Sequence, residues 1–308
     1  MKAYSIFDDF TDEAINILKD AGVEITVHPM GVPRPNDAEM KSILEAYDCV
    51  IIGTSQKIKE EMFENISAPR IIATASVGID HIKVPEAKKN LVTIYNTPKA
   101  NAQSVAEYTI ACALSCTKRL AEGVELYKKG INNKKLSNKP EDLCGKKIGV
   151  IGAGNISKMI MNYASMLGME AFYWTAHPDK HQDITFQYVE LDQLLKESDV
   201  ISVNLPNNAE TKNLISKERV SWMKADCVFI SVSRLDTIDI EALIERAAKE
   251  SNFYINVDVD VDDDIVALVQ EKKNVFVTPH IAGGTFETRK RMFKEVALQI
   301  GKEKRCPL

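Results

Sequence analysis

The stretch IGVIGAGNISKMIMNYASMLG, residues 148–168, decides how this chain is read. An apolar run leads into Gly152 and Gly154, and an amphipathic run follows. That order describes a buried strand, a sharp turn and a helix, with glycine where the backbone must bend. The spacing departs from a full GxGxxG only at Ser157. In such a turn the first glycine makes the bend and the second lets backbone approach a pyrophosphate. The following helix N-terminus turns amide donors and its positive dipole end toward that anion. A second strand, EAFYWT, comes about 20 residues later, as a β-α-β unit requires. An acid at its end would grip the adenosine ribose of NAD. Thr175 stands there instead, backed by Ala176, His177, Lys180 and His181. Lacking a carboxylate, this end does not repel a 2′-phosphate, and Lys180 or a histidine could hold one. No arginine follows, so NAD and NADP both stay open.

Working outward, residues 1–100 alternate strand-like and helix-like segments: KAYSIF, DEAINILKDAG, EITVHP, AEMKSILEAY, CVIIGT and PRIIATAS. Such alternation predicts a parallel sheet with crossover helices. Residues 101–130 read as one long helix, a connector exposed to a partner subunit, and a polar loop occupies 131–142. Beyond the glycine turn the strands EAFYWT, DVISVNLP, DCVFISVS, NFYINVDV and NVFVTP follow with helices between them, and a final helix, ETRKRMFKEVALQIGKEK, closes the chain. The expected fold class is α/β, with two Rossmann-like domains built on doubly wound parallel sheets.

The bulk properties narrow the partners. The 308 residues are 45% hydrophobic and 27% charged with a net charge of −5, ordinary for a globular protein. That balance gives no general attraction for nucleic acid or an anionic membrane. No apolar run approaches the roughly 18 residues that span a bilayer, and no leader is visible at the N-terminus. Six cysteines without CxxC spacing read as reduced, mostly buried thiols of a cytoplasmic protein.

Six ordered blocks carry a resemblance: ATASVGIDHI (73–82), NTPKANAQSVAEYT (96–109), IGVIGAGNIS (148–157), ESDVISVNLPNNAETKNLI (197–215), SVSRLDTIDIEALI (231–244) and NVFVTPHIAGGT (274–285). In this order they resemble the D-isomer-specific 2-hydroxyacid dehydrogenases. The resemblance implies a flavodoxin-like substrate domain, residues 1–100 with 286–308, and an NAD(P)-binding Rossmann domain, 101–285. It also implies a homodimer through helix 101–130, a small 2-keto or 2-hydroxy acid substrate, and no metal. Arg234 would hold the substrate carboxylate in a fork and polarise its carbonyl. His280 would donate the proton. Gly152, Gly154, Asn155, Ile156, Thr175, Asn204, Pro206, Thr211, Val232, Ser233, Asp258 and Gly283 would line the cofactor site, with Asp258 accepting from the nicotinamide carboxamide. The amides of Ser76, Val77 and Gly78 would cradle the substrate carboxylate.

The stretch NVDVDVDDDI, residues 256–265, would supply the carboxylate that orients His280. With Asp258 ending the strand, Asp263 falls at the family's glutamate position, 29 residues after Arg234 and 17 before His280; Asp262 and Asp264 are the alternatives. The alternation of acid and valine in this stretch reads as a strand with one polar face, and Asp260 as solvated or turn-forming. As a cation loop the stretch lacks the glycine and terminal glutamate of an EF-hand. The family often has arginine at Thr74 and glycine at Ser76, Lys99, Leu235 and Asp236. Leu235 beside Arg234 would narrow the pocket, and an inward Asp236 would weaken anion binding. These departures imply an unusual substrate, or a nucleotide-sensing member of low activity that acts as an interaction protein.

Overall fold

The computed structural model describes residues 1–64, 66, 69–131, 136, 139–259, 261–270 and 272–305. Asp260, Cys306 and residues 132–135, 137 and 138 of the polar loop lie outside the described residues. The chain forms two compact units, Met1–Asn101 with Thr285–Leu308 and Ala102–Gly284.

The first unit runs β1 (Lys2–Ser5), α1 (Asp12–Asp20), β2 (Glu24–Val27), α2 (Asp37–Ala46), β3 (Cys49–Ile52), β4 (Ile71–Thr74), α3 (Val84–Lys89) and β5 (Thr93–Tyr95), and ends with the chain's final helix, Phe286–Arg305. Caps set the helix starts. Thr11 accepts from the Ala14 amide, while Asn36 and Glu39 form a reciprocal capping box. All strand pairs are parallel in the order β2-β1-β3-β4-β5, a flavodoxin-like sheet. Every residue of β3 and β4 is buried, because helices cover both faces. Leu18, Leu44, Ile51, Ile72 and Phe293 fill this core.

The second unit runs α4 (Ala102–Thr117), α5 (Leu120–Lys128), β6 (Lys147–Ile151), α6 (Asn155–Met166), β7 (Glu170–Trp174), β8 (Gln187–Tyr188), α7 (Leu191–Glu197), β9 (Val200–Val203), α8 (Lys217–Trp222), β10 (Val228–Ser231), α9 (Ile240–Lys249), β11 (Tyr254–Asp258), α10 (Asp263–Val269) and β12 (Val275–Thr278). Its parallel sheet has the order β12-β11-β10-β9-β6-β7-β8. This is the doubly wound dinucleotide-binding order with one strand added at the edge. The order reverses at β6, so β6 and β9 flank the switch point.

Two expectations are corrected. Residues 101–130 are not one helix: α4 stops at Thr117 and α5 starts at Leu120. Arg119 makes the break, with a left-handed φ of +53°. Its buried guanidinium donates to the Tyr254 hydroxyl at 2.5 Å and to Asn252 Oδ1 at 3.1 Å. Those bonds offset a backbone cost of about 1–2 kcal/mol. The second correction concerns β11, whose alternation suggested a polar face. All five residues are buried, and Asn256 donates to Cys116 Sγ at 3.0 Å. Cys49, Cys112, Cys116 and Cys227 are buried and Cys144 is exposed, all as unpaired thiols.

Candidate active site

Gly152 closes β6 with a φ of +118°, and a Cβ there would lie 2.5 Å from the Asn204 carbonyl oxygen. Only glycine fits. Gly154 has open space where its Cβ would be, and it begins α6 with no side-chain cap. The first amides of α6 therefore face an accessible turn, lined by exposed Asn155 and half-buried Ile156. Ser157 is fully buried, and its Oγ has no partner among the described residues; the same holds for Asn204 Oδ1. Buried polar atoms normally find partners, so these two mark a place built for a ligand with polar groups. The cradle and the orphaned atoms fit NAD(P).

At the end of β7, buried Thr175 accepts from the His177 amide at 3.4 Å. Of the acids in this region, Glu210 lies 3.2 Å from His177 Nε2 and Asp183 pairs with Lys158, while Asp179 is exposed on the turn. Lys180 is exposed on the turn Pro178–His181.

Asn204 stands at the end of β9, its Nδ2 donating to Ser202 Oγ at 3.0 Å. Ser233 Oγ donates to the Val203 carbonyl at 3.0 Å and accepts from the Leu205 amide at 2.8 Å, tying the ends of β9 and β10 together. Thr211 Oγ1 donates to the Pro206 carbonyl at 2.6 Å. Both hydroxyls are thus committed to shaping loops, which sequence pattern did not show. Val232 and Arg234 are half-buried beyond β10.

The feared crowding beside Arg234 is relieved locally. Leu235 turns into the apolar core of this unit. Asp236 is exposed and accepts from Asn207 Nδ2 at 2.9 Å.

Asp258 ends β11 and is 2% exposed. Its Oδ1 accepts from Thr278 Oγ1 at 2.7 Å and the Ile281 amide at 2.8 Å, and its Oδ2 from the Ala282 amide at 2.7 Å. Between those donors sits His280, exposed, with a left-handed φ of +52°. Gly283 lies in the turn closed by the Gly284 amide donating to the Ile281 carbonyl at 2.9 Å. Asp262, Asp263 and Asp264 are exposed at the start of α10. Carboxylates are favoured there by the helix dipole, and none of the three is joined to His280 by a hydrogen bond or ion pair among the described residues. Sequence reasoning missed Ser104 and Tyr108 of α4. Ser104 Oγ donates to the Ala282 carbonyl at 2.6 Å, and the Tyr108 hydroxyl is 2.6 Å from Thr278 Oγ1. Their signal was present as two polar residues four apart, one helical turn, on an apolar helix. Burial pushes Tyr108 up, Cys112 up to about 11 and Cys116 up to about 12, so all three are neutral and neither thiol is a nucleophile.

In the first unit, no carbonyl among the described residues accepts from the amides of Ser76, Val77 and Gly78. The loop is held by other groups. Ser76 Oγ donates to the Gly78 carbonyl at 2.7 Å, and Asn96 Nδ2 donates to the Val77 carbonyl at 2.7 Å. Thr74 Oγ1 is 3.0 Å from His81 Nε2.

A parallel sheet in dinucleotide-binding order, with a glycine cradle at its switch point and ionisable side chains at the neighbouring strand ends, defines an NAD(P)-linked oxidoreductase. Residues 110–282 match the model of the D-isomer specific 2-hydroxyacid dehydrogenase NAD binding domain, and the chain belongs to that family. It is 34% identical over 270 residues to a hydroxypyruvate reductase of Thermotoga maritima, covering 86% of this chain and 87% of that one. A D-lactate dehydrogenase from Aquifex aeolicus complexed with NAD and lactic acid superposes with a TM-score of 0.79 at 27% identity, over 97% and 94% of the two chains. An acyclic imino acid reductase in complex with NADPH and D-Arg superposes with a TM-score of 0.85 at 26% identity, over 100% and 99%.

Proposed function

We propose that the chain reduces a small 2-keto acid to the D-2-hydroxy acid, with Arg234, His280 and Asp263 as its catalytic residues. The observation that carries this is the placement of the glycine turn, Asn204, Arg234, Asp258 and His280 at the ends of five adjacent strands: β6, β9, β10, β11 and β12. Open α/β sheets bind their ligands at such ends.

Reduction needs a cation at the substrate carboxylate and carbonyl, a proton donor at the carbonyl oxygen, and a hydride. Arg234 meets the first need, since a guanidinium grips a carboxylate in a fork. Ser76, Val77 and Gly78 offer amides that no carbonyl among the described residues occupies. His280 delivers the proton to the oxygen on C2. When bound, NAD(P)H would supply the hydride. Gly152, Gly154 and the start of α6 would hold its pyrophosphate; the Ser157 hydroxyl can donate to the cofactor, and Asn204 Oδ1 can accept from one of its hydroxyl or amide groups. Asp263 is assigned to orient His280, with Asp262 and Asp264 as its rivals on the same turn.

The first unit acts as the substrate domain and the second as the cofactor domain. The protein works in the cytoplasm as a homodimer. No described helix is long and apolar enough to cross a membrane. The dimer reading is supported by α5, which has no buried residue and exposes Leu120, Val124 and Tyr127 on one face. Sedimentation of a Val124→Glu variant as the same species as wild type would remove that support.

The direct test supplies glyoxylate, pyruvate, hydroxypyruvate and 2-ketoglutarate with NADH or NADPH. Oxidation of either cofactor by at least one keto acid is expected. Cofactor binding without turnover on any of them would return the chain to the interaction-protein reading.

A further inference from the structure

Asp258 spends most of its hydrogen-bonding capacity on its own chain. A carboxylate has about four acceptor positions, and three are filled by Thr278 Oγ1 and the amides of Ile281 and Ala282. These donors lie on both sides of His280. A non-glycine residue rarely adopts φ of +52°, and such outliers persist where the surroundings over-determine them. Here the surroundings are specific. Thr278 gives its proton to Asp258, so the Tyr108 hydroxyl must be the donor to Thr278 Oγ1. On the far side, Ser104 Oγ donates to the Ala282 carbonyl. The His280 amide itself closes a tight turn onto the Thr278 carbonyl at 2.8 Å.

We propose that Asp258 is a positioning residue for His280, holding the loop Thr278–Ala282 by its backbone so that the imidazole stands in one orientation at the strand end. Thr278 is the second grip and α4 the brace, through Ser104 and Tyr108. The inference rests on the reading of His280 as the proton donor. It differs from a cofactor-ligand role, which would use only the acceptor position left on Oδ2. The side chain of Asp258 works through three donors that no ligand supplies. Burial, which keeps the Tyr108 phenol protonated, keeps the brace in its donating form.

Asp258→Asn tests this with little change of shape. The amide's Oδ1 can still accept, but its NH2 group now faces the Ala282 N–H, donor against donor. With cofactor and keto acid saturating, kcat is expected to fall by about tenfold or more, while cofactor Kd in a binding titration changes less than about threefold. Without any cofactor, the Ile281 and Ala282 amides should exchange with deuterium about tenfold faster or more. Thr278→Val, which removes one grip, should shift kcat and exchange in the same direction by less, and Thr278→Ser should recover most of the loss. A weakened cofactor Kd with kcat retained at saturation and unchanged amide exchange would overturn the proposal and make Asp258 a cofactor ligand only. If Asp258→Asn does not fold, the Thr278 pair decides by the same criteria. If the wild type turns over no keto acid, the functional reading fails, whereas amide exchange still decides whether the clamp exists.

Discussion

The two ends of the sheet in the second unit are built on opposite terms. At the amino ends of the strands, polar groups are satisfied by the chain itself. Lys224 Nζ lies 2.7 Å from Asp199, whose other oxygen accepts from the Lys147 amide at 2.7 Å, and Lys147 Nζ lies 2.8 Å from Glu197. Arg119 is buried between Tyr254 and Asn252. At the carboxyl ends, Ser157 Oγ and Asn204 Oδ1 are buried with no partner among the described residues, Gly152 and His280 sit at positive φ, and Gly154 opens onto space. Both ends belong to the same strands, so the contrast is not one of fold quality. One end stabilises the unit, and the other keeps capacity for a ligand.

That contrast can be broken by substitution. His280→Ala, at the carboxyl end, should lower turnover by about 10²–10⁴-fold while cofactor affinity and melting temperature stay near wild type. Retained turnover would remove His280 as the acid. Gly152→Ala places a methyl 2.5 Å from the Asn204 oxygen at a φ that L side chains avoid, so cofactor affinity should drop by about 100-fold or more in a titration. Binding equal to wild type would show that the cradle is not the cofactor's seat.

At the amino end the currency changes from turnover to stability. Arg119→Met strands the Tyr254 hydroxyl and Asn252, and should cost about 2–4 kcal/mol in unfolding with cofactor Kd unchanged. The smallest effect is at Asp199. Burial works against its charge, but the Lys224 ammonium and the Lys147 amide outweigh it and hold its pKa below the ordinary carboxylate value. The stability it contributes is therefore present above the ordinary carboxylate range and lost as pH falls through the lowered value. Asp199→Asn should be about 0.5–1 kcal/mol less stable than wild type at pH 7, after allowance for screening, and the gap should narrow as pH falls below the ordinary carboxylate range and through the lowered value. A gap that persists in acid would show that shape, not charge, is what Asp199 contributes.

The readable and unreadable parts of the chain divide along similar physical lines. Glycine at a turn, apolar runs and helical spacing act locally, so the strands, the glycine cradle and the two parallel sheets were legible. The break at Arg119 was not, because no glycine or proline marks it. It is imposed by Tyr254 and Asn252, more than 130 residues away. Nor could the pattern of β11 show that both faces are buried, since only its neighbours in the sheet decide that. Leu235 looked like an obstacle beside Arg234 because sequence gives adjacency and not direction, and its side chain turns to the core. Ser233 and Thr211 stood out only as cofactor-site candidates; that their hydroxyls also tie the loops that shape the site is set by partners in space. Asp258 stood out as a strand-end acid, but its three donors come from residues 20 or more positions later.

The most direct measurement is transfer of deuterium from C4-deuterated NADH or NADPH to a 2-keto acid, followed by chiral analysis of the product. The predicted product is the D-2-hydroxy acid carrying deuterium at C2. An L product, or a 2-hydroxy acid with deuterium absent from C2, would contradict the account.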